Sequence, residues 1–340
     1  MPARTPRRAA RTVAAAAAVA TPRAAAYRFA VEYRRRAGFP ARRPLLATPD
    51  DEGLPWESLS IPSPAGSLPA WFIPARGGLP GPAVVLVHGW ESNRARMLPN
   101  ARFLHAAGFH TLLFDVRGHG ENPPEVLPIS GGEFGVDAAA AVAVVRRRPE
   151  VTAVGLLGHS MGAVGAVLAS AMEPGVAALV TTAIPAHPRL LTRRTFELAG
   201  LPIPGPVAHP LAWLTMHVYL RPRGHRPGRV NALRAIRRFP GPLLVVHGSA
   251  DEIVPLRHAE LLVRSARTRP GREAELLVIP GGRHSWLYES PAYRERVAGF
   301  LARHLGGPYG PVEAAERAAA VAVARPPDRE GPAALASAAE

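Results

Sequence analysis

The stretch VGLLGHSMGAVG, residues 154–165, decides how this chain folds. It holds the pattern GxSxG, with Gly158, Ser160 and Gly162, between an apolar run on one side and an Ala/Val-rich helical pattern on the other. A serine at the tip of a tight strand-to-helix turn adopts strained backbone angles, and only small residues fit on either side of it. The helix N-terminus that follows also favours negative charge developing on the serine. The stretch therefore predicts a nucleophilic Ser160.

A serine hydroxyl is a weak nucleophile, so it needs a base and a group that orients the base. Asp251 follows the apolar run LLVVHG, and His284 follows the last apolar run, 33 residues further on. Both residues follow the carboxyl end of a predicted strand, which is where binding and active sites form in open α/β sheets. The chain order Ser, Asp, His is the one expected with this motif. We expect Asp251 to orient His284 and His284 to act as the base.

Each of these assignments has an alternative. Asp251 would also suit the N-cap of a helix that begins near Leu256, and Glu252 beside it is a rival carboxylate. Of the thirteen histidines, His284 alone combines the chain order with a loop after a strand.

The segment HGW, His88 to Trp90, comes directly after the apolar run AVVLV. A tetrahedral oxyanion needs two fixed donors, and the backbone N–H groups of Trp90 and Met161 are placed to supply them. Plain core packing of the Trp90 indole does not conflict with this role, which uses only its N–H group.

The body of the chain alternates short apolar runs with longer helical patterns, which is typical of a mostly parallel sheet covered by helices on both faces. Six runs are apolar throughout, as strands buried on both faces must be, and two upstream runs bounded by Pro and Gly predict an antiparallel edge hairpin. The sequence predicts an α/β fold with about eight strands. The predicted strands are 58–63, 68–75, 83–89, 110–116, 153–159, 177–184, 243–248 and 275–281, and the predicted helices are 94–107, 132–148, 161–172, 257–268 and 291–304.

An insertion from residue 185 to about 229 interrupts this rhythm with Pro-punctuated amphipathic pieces, at the place where a lid would lie. Residues 49–305 form the predicted domain. Before it, residues 1–48 predict a mobile basic arm with a helical piece around 27–35, and after it, residues 306–340 predict a disordered Ala/Pro-rich tail with at most one short helix.

The net charge is +15, and all 41 basic residues are Arg, which is first a bias of composition. Residues 1–48 hold eleven Arg and one Glu, a net +10, and residues 185–241 hold ten Arg and one Glu, a net +9. Nothing beyond charge supports a nucleic-acid partner. An alanine stretch after four Arg leaves export or membrane tethering open as the alternative to a cytoplasmic location.

Several classes of site are excluded or disfavoured. The chain has no Cys, so disulfides, thiolate zinc sites, iron–sulfur clusters and a cysteine nucleophile are excluded. No HExxH pattern occurs, so a zinc hydrolase has little support, and no cofactor or metal is expected. A helix needs about 18 apolar residues to cross a bilayer, and no uncharged apolar run in the sequence approaches that length.

Over residues 50–305 the sequence resembles the α/β-hydrolase superfamily, in particular bacterial serine esterases related to prolyl-oligopeptidase-type and monoacylglycerol-lipase-like hydrolases. The matching pieces are LPAWFIPA, VVLVHGW, LLFDVRGHG, GLLGHSMG, VVHGSADEIVP and IPGGRHSW. The resemblance implies the same roles for Ser160, Asp251 and His284, the oxyanion donors Trp90 and Met161, and no cofactor. One departure is Glu121, which follows RGHG where the family commonly has a small polar residue such as Ser.

These observations predict a serine hydrolase that cleaves carboxylic esters. Thioesters, lactones, amides and peptides use the same groups and stay open as alternatives, whereas an idle binding scaffold would require a missing member of the set. The expected substrate is a small acyl ester, anionic or lipid-borne if the basic insertion contributes to binding, which would also allow association with a membrane surface. The oligomeric state stays undetermined.

Overall fold

The protein is described here by a computed structural model that covers residues 6–268 and 271–323, with side chains from residue 22 onward. Its centre is an eight-stranded sheet in the order β1-β2-β4-β3-β5-β6-β7-β8. The first two strands form an antiparallel hairpin at one edge, β2 pairs antiparallel with β4, and all later pairs are parallel. The strands are β1 Glu57–Ser63, β2 Gly66–Ile73, β3 Gly81–Val87, β4 His110–Phe114, β5 Val151–His159, β6 Val176–Thr182, β7 Leu243–Gly248 and β8 Ala274–Ile279. The predicted sheet and its edge hairpin are confirmed.

Helices cover both faces of the sheet. They are α1 Pro6–Ala37, α2 Leu98–Ala106, α3 Gly131–Val145, α4 Met161–Ser170, α5 Pro188–Leu198, α6 Gly205–Leu220, α7 Ala232–Ala235, α8 Arg257–Ala266, α9 Pro291–Leu305 and α10 Pro311–Ala319. All five helices predicted in the body are present, within a few residues at each end.

Strand periodicity divides the core into two layers. In β3, Val85 and Val87 point to one layer, with α3, α4, α7 and α8, while Val84 and Leu86 point to the other, with α2, α9 and α10. Successive side chains of a strand point to opposite faces, so a strand covered on both sides is apolar at every position. This explains why the buried strands lack the polar alternation of an exposed sheet.

The insertion between β6 and β7 contains the helices α5 and α6 and returns to the body through a well-anchored turn. Here the Arg223 guanidinium donates to the carbonyl oxygen of Pro128 at 2.9 Å and forms an ion pair with Glu125. His225 lies 2.6 Å from the carboxylate of Glu133 at the start of α3. The insertion is therefore fixed to the body at its C-terminal end.

The prediction of a mobile arm over residues 1–48 is wrong for residues 22–37, which continue α1 and pack on α5 and α6. The Tyr33 hydroxyl lies 2.7 Å from Oγ1 of Thr195, and the Arg34 guanidinium donates to the carbonyl oxygen of Val218 at 3.1 Å. The chain after α1 is also held, since Asn93 donates to the carbonyl oxygens of Arg43 and Pro44. The arginines around Phe29 and Tyr33 give this part of the sequence the pattern of a solvated helix, although both aromatic side chains pack on the insertion.

The C-terminal tail also differs from the prediction, because α10 is part of the body. Its Ala314 and Ala318 are fully buried against the layer that contains α9. The buried Arg294 of α9 donates to the carbonyl oxygens of Ala318 and Ala319 at the end of α10. The single short helix that the sequence allowed is present, but it is packed, and the rest of the predicted tail, 324–340, lies outside the described residues. Across residues 6–268 and 271–323, no helix is both long enough and apolar enough to span a membrane.

Truncation after Tyr309 should lower the melting temperature by about 5 °C or more, because it exposes the apolar surface under α10 and removes two hydrogen-bond acceptors from the buried Arg294. Truncation after Val323 keeps these contacts and should leave the melting temperature unchanged. Thermal unfolding followed by circular dichroism measures both shifts, and equal melting temperatures for the two truncated proteins would contradict the packing role of α10.

Candidate active site

Ser160 lies at a strained turn between β5 and α4. Its backbone has φ +52° and ψ −118°, in a region that L-residues rarely adopt, and its N–H donates to the carbonyl oxygen of Thr182 at 2.9 Å. A Cβ atom at Gly162 would clash with the backbone oxygens of Val87 and His88, and one at Gly158 would clash with the backbone of Gly162. The two glycines of the motif are thus required by close backbone approach, and the turn projects Ser160 from the end of the sheet.

The structure brings Ser160, His284 and Asp251 together in one hydrogen-bonded row. Nε2 of His284 lies 3.0 Å from Oγ of Ser160, and Nδ1 of His284 lies 2.8 Å from Oδ2 of Asp251. The ionised Asp251 carboxylate can only accept a hydrogen bond, so Nδ1 of His284 carries the proton. Nε2 of His284 is then free to accept a hydrogen bond from the Ser160 hydroxyl. Three residues more than 30 positions apart along the chain thereby form one hydrogen-bonded row.

The Asp251 carboxylate is buried and has several donors. Its Oδ1 accepts from the backbone N–H groups of Ile253 at 2.9 Å and Val254 at 2.8 Å. Burial raises the pKa of Asp251, but the hydrogen bond and charge of His284 and the N–H of Val254 outweigh it and hold the pKa below its usual value. Asp251 is therefore ionised at neutral pH. The rival carboxylate, Glu252, is exposed, and the carboxylate that contacts His284 is that of Asp251.

His247 is a second partner of Asp251, and it was missed in the sequence. It is fully buried at the end of β7, with Nε2 at 2.8 Å from the carbonyl oxygen of Val254 and at 3.3 Å from Oδ2 of Asp251. Both neighbours are acceptors, so Nε2 carries a proton and holds the turn that presents the carboxylate. A histidine inside an otherwise apolar strand was the available signal.

The loop that carries Trp90 passes directly beside Ser160. A Cβ atom at Gly89 would lie 3.4 Å from Cβ of Ser160. His88 is buried and fixes this loop, donating from Nδ1 to the carbonyl oxygen of Gly89 at 2.8 Å and accepting at Nε2 from the N–H of Val116 at 3.0 Å. Burial lowers the pKa of His88 to about 4, so the ring is neutral as this pattern requires.

Met161 is the first residue of α4, and the first N–H groups of a helix lie outside its own hydrogen-bond ladder. Two residues earlier, His159 donates from Nε2 to the carbonyl oxygen of His284 at 3.0 Å, and that acceptor sets its tautomer. The segments that carry Trp90, Met161 and His284 thus meet around Ser160.

Arg94, four residues after Trp90, forms a buried ion pair with Asp115. Asp115 accepts from the N–H of Arg94 at 2.7 Å and from the N–H of Glu121 at 3.0 Å, and the Arg94 guanidinium pairs with both carboxylates. Glu121, the departure from the family pattern, therefore has a partner in this chain.

A cavity of about 870 Å³ opens beside Ser160 and His284. Its walls come from the loops at the sheet edge, from the insertion and from α1. Most of the lining is apolar, and the charged lining residues are four arginines and three glutamates: Arg36, Arg43, Arg96, Arg283, Glu32, Glu91 and Glu252. The positive charge of the insertion is thus not concentrated in the cavity. Among the residues that the structure describes, no group of three or more His, Asp or Glu side chains is placed to hold a metal ion.

Comparison with known proteins identifies the family. The sequence model of the alpha/beta hydrolase family matches residues 84–298, which is more than half of the chain. The chain belongs to the alpha/beta hydrolase family. It is 31% identical over 220 residues to the uncharacterized protein Rv2307c of Mycobacterium tuberculosis, covering 64% of this chain and 68% of that protein.

Two solved structures share the fold of this hydrolase. Esterase Pf2001 of Pyrococcus furiosus superposes with a TM-score of 0.62 at 22% identity, covering 79% of this chain and 98% of the esterase. An acylaminoacyl peptidase of Pyrococcus horikoshii superposes with a TM-score of 0.57 at 18% identity, covering 75% of this chain and 42% of the peptidase. At these identities the likeness shows the fold alone.

Asp251→Asn should lower kcat on an activated ester by about 10³- to 10⁴-fold while keeping the fold, because an amide at this position no longer fixes the His284 tautomer or stabilises the imidazolium. Glu252→Gln is the matched control on the neighbouring residue and should change kcat less than about twofold. Steady-state kinetics with circular dichroism on both proteins measures the difference. Equal losses in the two variants would mean that the wrong carboxylate has been chosen.

Proposed function

We propose that this alpha/beta hydrolase is a serine hydrolase that cleaves carboxylic esters through an acyl-enzyme on Ser160. The observation that carries the proposal is the continuous row from Oγ of Ser160 through His284 to the buried Asp251, with separations of 3.0 and 2.8 Å. A nucleophile in hydrogen-bond contact with a base, and the base in contact with an ionised orienting group, is the arrangement that activates a hydroxyl near neutral pH.

In the proposed reaction, Oγ of Ser160 attacks the ester carbonyl carbon while its proton passes to Nε2 of His284. The negative charge of Asp251 stabilises the imidazolium that forms. The N–H groups of Trp90 and Met161 donate to the oxyanion of the tetrahedral intermediate. His284 then returns the proton to the leaving alkoxide, which departs as an alcohol. A water molecule, deprotonated by His284, releases the acyl group as a carboxylic acid and restores Ser160.

The nature of the cavity favours a neutral acyl group as substrate. Its charged lining residues nearly balance, and three of the insertion's arginines are already paired, Arg193 and Arg194 with Glu197 and Arg223 with Glu125. That the substrate is an anionic or lipid-borne ester stays a prediction from the charge of the insertion in the sequence. A thioester, a lactone or an acyl-peptide would use the same groups, and the two structural neighbours are an esterase and an acylaminoacyl peptidase.

The insertion acts as a lid in this proposal. Its helix α5 lies over the site, and Arg194 from α5 donates to the backbone carbonyl oxygens of Glu252 and Ile253, in the turn that presents Asp251. Residues of α5 and α6, including Leu191, Phe196 and Tyr219, line the cavity beside Ser160. Such a cover excludes water from the acyl group while it is held at the site.

The wild-type protein should react covalently with a fluorophosphonate probe and hydrolyse p-nitrophenyl esters, and Ser160→Ala should abolish labelling and lower kcat by several orders of magnitude. Ser92→Ala removes another hydroxyl that lines the cavity and should label as the wild type does. In-gel fluorescence and a substrate panel of esters, thioesters, lactones and acyl-peptides provide the readout. Wild-type turnover by Ser160→Ala would rule out the mechanism, and faster turnover of another member of the panel would replace the ester as substrate.

A further inference from the structure

One face of α1 is part of the cavity beside Ser160. The α1 residues that line it are spaced three and four apart, so they form a single stripe: Phe29, Glu32, Tyr33, Arg36 and Ala37. Tyr27 points away from this stripe and is 49% exposed. The helix is therefore placed as a wall of the cavity, and its two aromatic side chains there are the bulkiest residues of the stripe.

This wall is fixed in place by the insertion. The Phe29 ring packs edge-on against Phe196, with centroids 5.4 Å apart, and Tyr33 does the same at 5.7 Å. Phe196 is itself only 2% exposed. The hydrogen bond between Tyr33 and Thr195 holds the phenol ring from its other end. The edge-on aromatic pairs and this hydrogen bond restrict the rotamers of Phe29 and Tyr33, so the position of the wall is defined.

The polar residues of the stripe pair with each other on α1. Glu32 accepts from Arg36 at 2.7 Å and from Arg35 at 2.8 Å. These two hydrogen bonds lower the pKa of Glu32 to about 2, so its carboxylate stays ionised and paired at neutral pH. The one carboxylate of this α1 stripe, Glu32, is thus paired and does not attract a cationic group. The contribution of the stripe to substrate binding therefore comes from Phe29 and Tyr33.

This helix lies outside the part of the chain that matches the family, since the family model begins at residue 84. The part that matches, residues 84–298, contains all three residues proposed for the chemistry: Ser160, Asp251 and His284. The helix therefore adds a wall to a catalytic body that the family shares, and the natural consequence of an added wall is a change in what the cavity accepts.

We propose that α1 is the specificity-determining wall of the acyl pocket, and that Phe29 and Tyr33 select esters of a single medium-length or long apolar acyl chain over acetyl esters. The inference rests on the proposed function. An acetyl group fills a small part of a cavity of about 870 Å³, whereas a longer chain gains apolar contacts with its walls. Each methylene buried in this way raises kcat/KM by about fourfold, which corresponds to about 0.8 kcal/mol.

The test is the acyl-length profile of kcat/KM on p-nitrophenyl acetate, butyrate, octanoate and dodecanoate. We expect the wild type to favour octanoate or dodecanoate over acetate by more than tenfold. Phe29→Trp, which fills part of the pocket, should shift the optimum toward shorter chains, and Phe29→Ala should shift it toward longer ones. Far-UV circular dichroism and the melting temperature of each variant show that it is folded. Tyr27→Ala, on the opposite face of α1, is the matched control and should keep the wild-type profile.

Binding of a dansyl-labelled fatty acid to the same proteins, followed by fluorescence, separates this inference from the proposed function. Weaker binding by at least about fivefold in Phe29→Trp, with no change in Tyr27→Ala, supports the wall even if no ester is cleaved. Hydrolysis with the same length profile in wild type, Phe29→Trp and Phe29→Ala would overturn the inference while leaving the proposed function intact. Equal dansyl-probe affinity in all variants would overturn it as well.

Discussion

The backbone conformation at Ser160 is the constraint on which the rest of the site depends. A positive φ at a residue with a side chain costs about 1–3 kcal/mol and persists only where the surrounding structure enforces it. Here it is enforced by the hydrogen bond to Thr182 on β6 and by the close approach of Gly162 to the backbone at the end of β3. Three neighbouring strands of the sheet thus set the position of one hydroxyl group.

The partners of Ser160 are fixed by the same sheet edge. His284 and Asp251 follow β8 and β7, and three histidines brace the loops around them. The buried His247 holds the turn of Asp251, the buried His88 holds the loop of Trp90, and the partly buried His159 contacts the carbonyl oxygen of His284. A neutral imidazole suits this role at His88, because the ring donates at one nitrogen and accepts at the other. The groups in the proposed proton transfers are therefore held by the sheet edge, whereas the insertion and α1 form the walls of the cavity.

Sequence patterns predicted the sheet and the meeting of Ser160, Asp251 and His284 because each has a strong local signal. The buried strands are mostly apolar, without the polar alternation of an exposed sheet, and Ser160, Asp251 and His284 follow such strands in a fixed order. The packing of α1 was not predictable in the same way, since Phe29 and Tyr33 lie among arginines and alanines whose pattern indicates a solvated helix. Ala314 and Ala318 of α10 are small and give little apolar signal. His247 was missed because a single histidine inside a strand gives no hint of its partner, which depends on the turn at Asp251.

The central claim, that Ser160 carries the acyl group during turnover, is tested most directly by mass spectrometry of the enzyme quenched during hydrolysis of p-nitrophenyl octanoate. The account predicts a covalent octanoyl adduct on the peptide that contains Ser160, together with a burst of p-nitrophenol equal to the enzyme concentration if deacylation limits turnover. Hydrolysis that leaves the octanoyl group on another residue would contradict it.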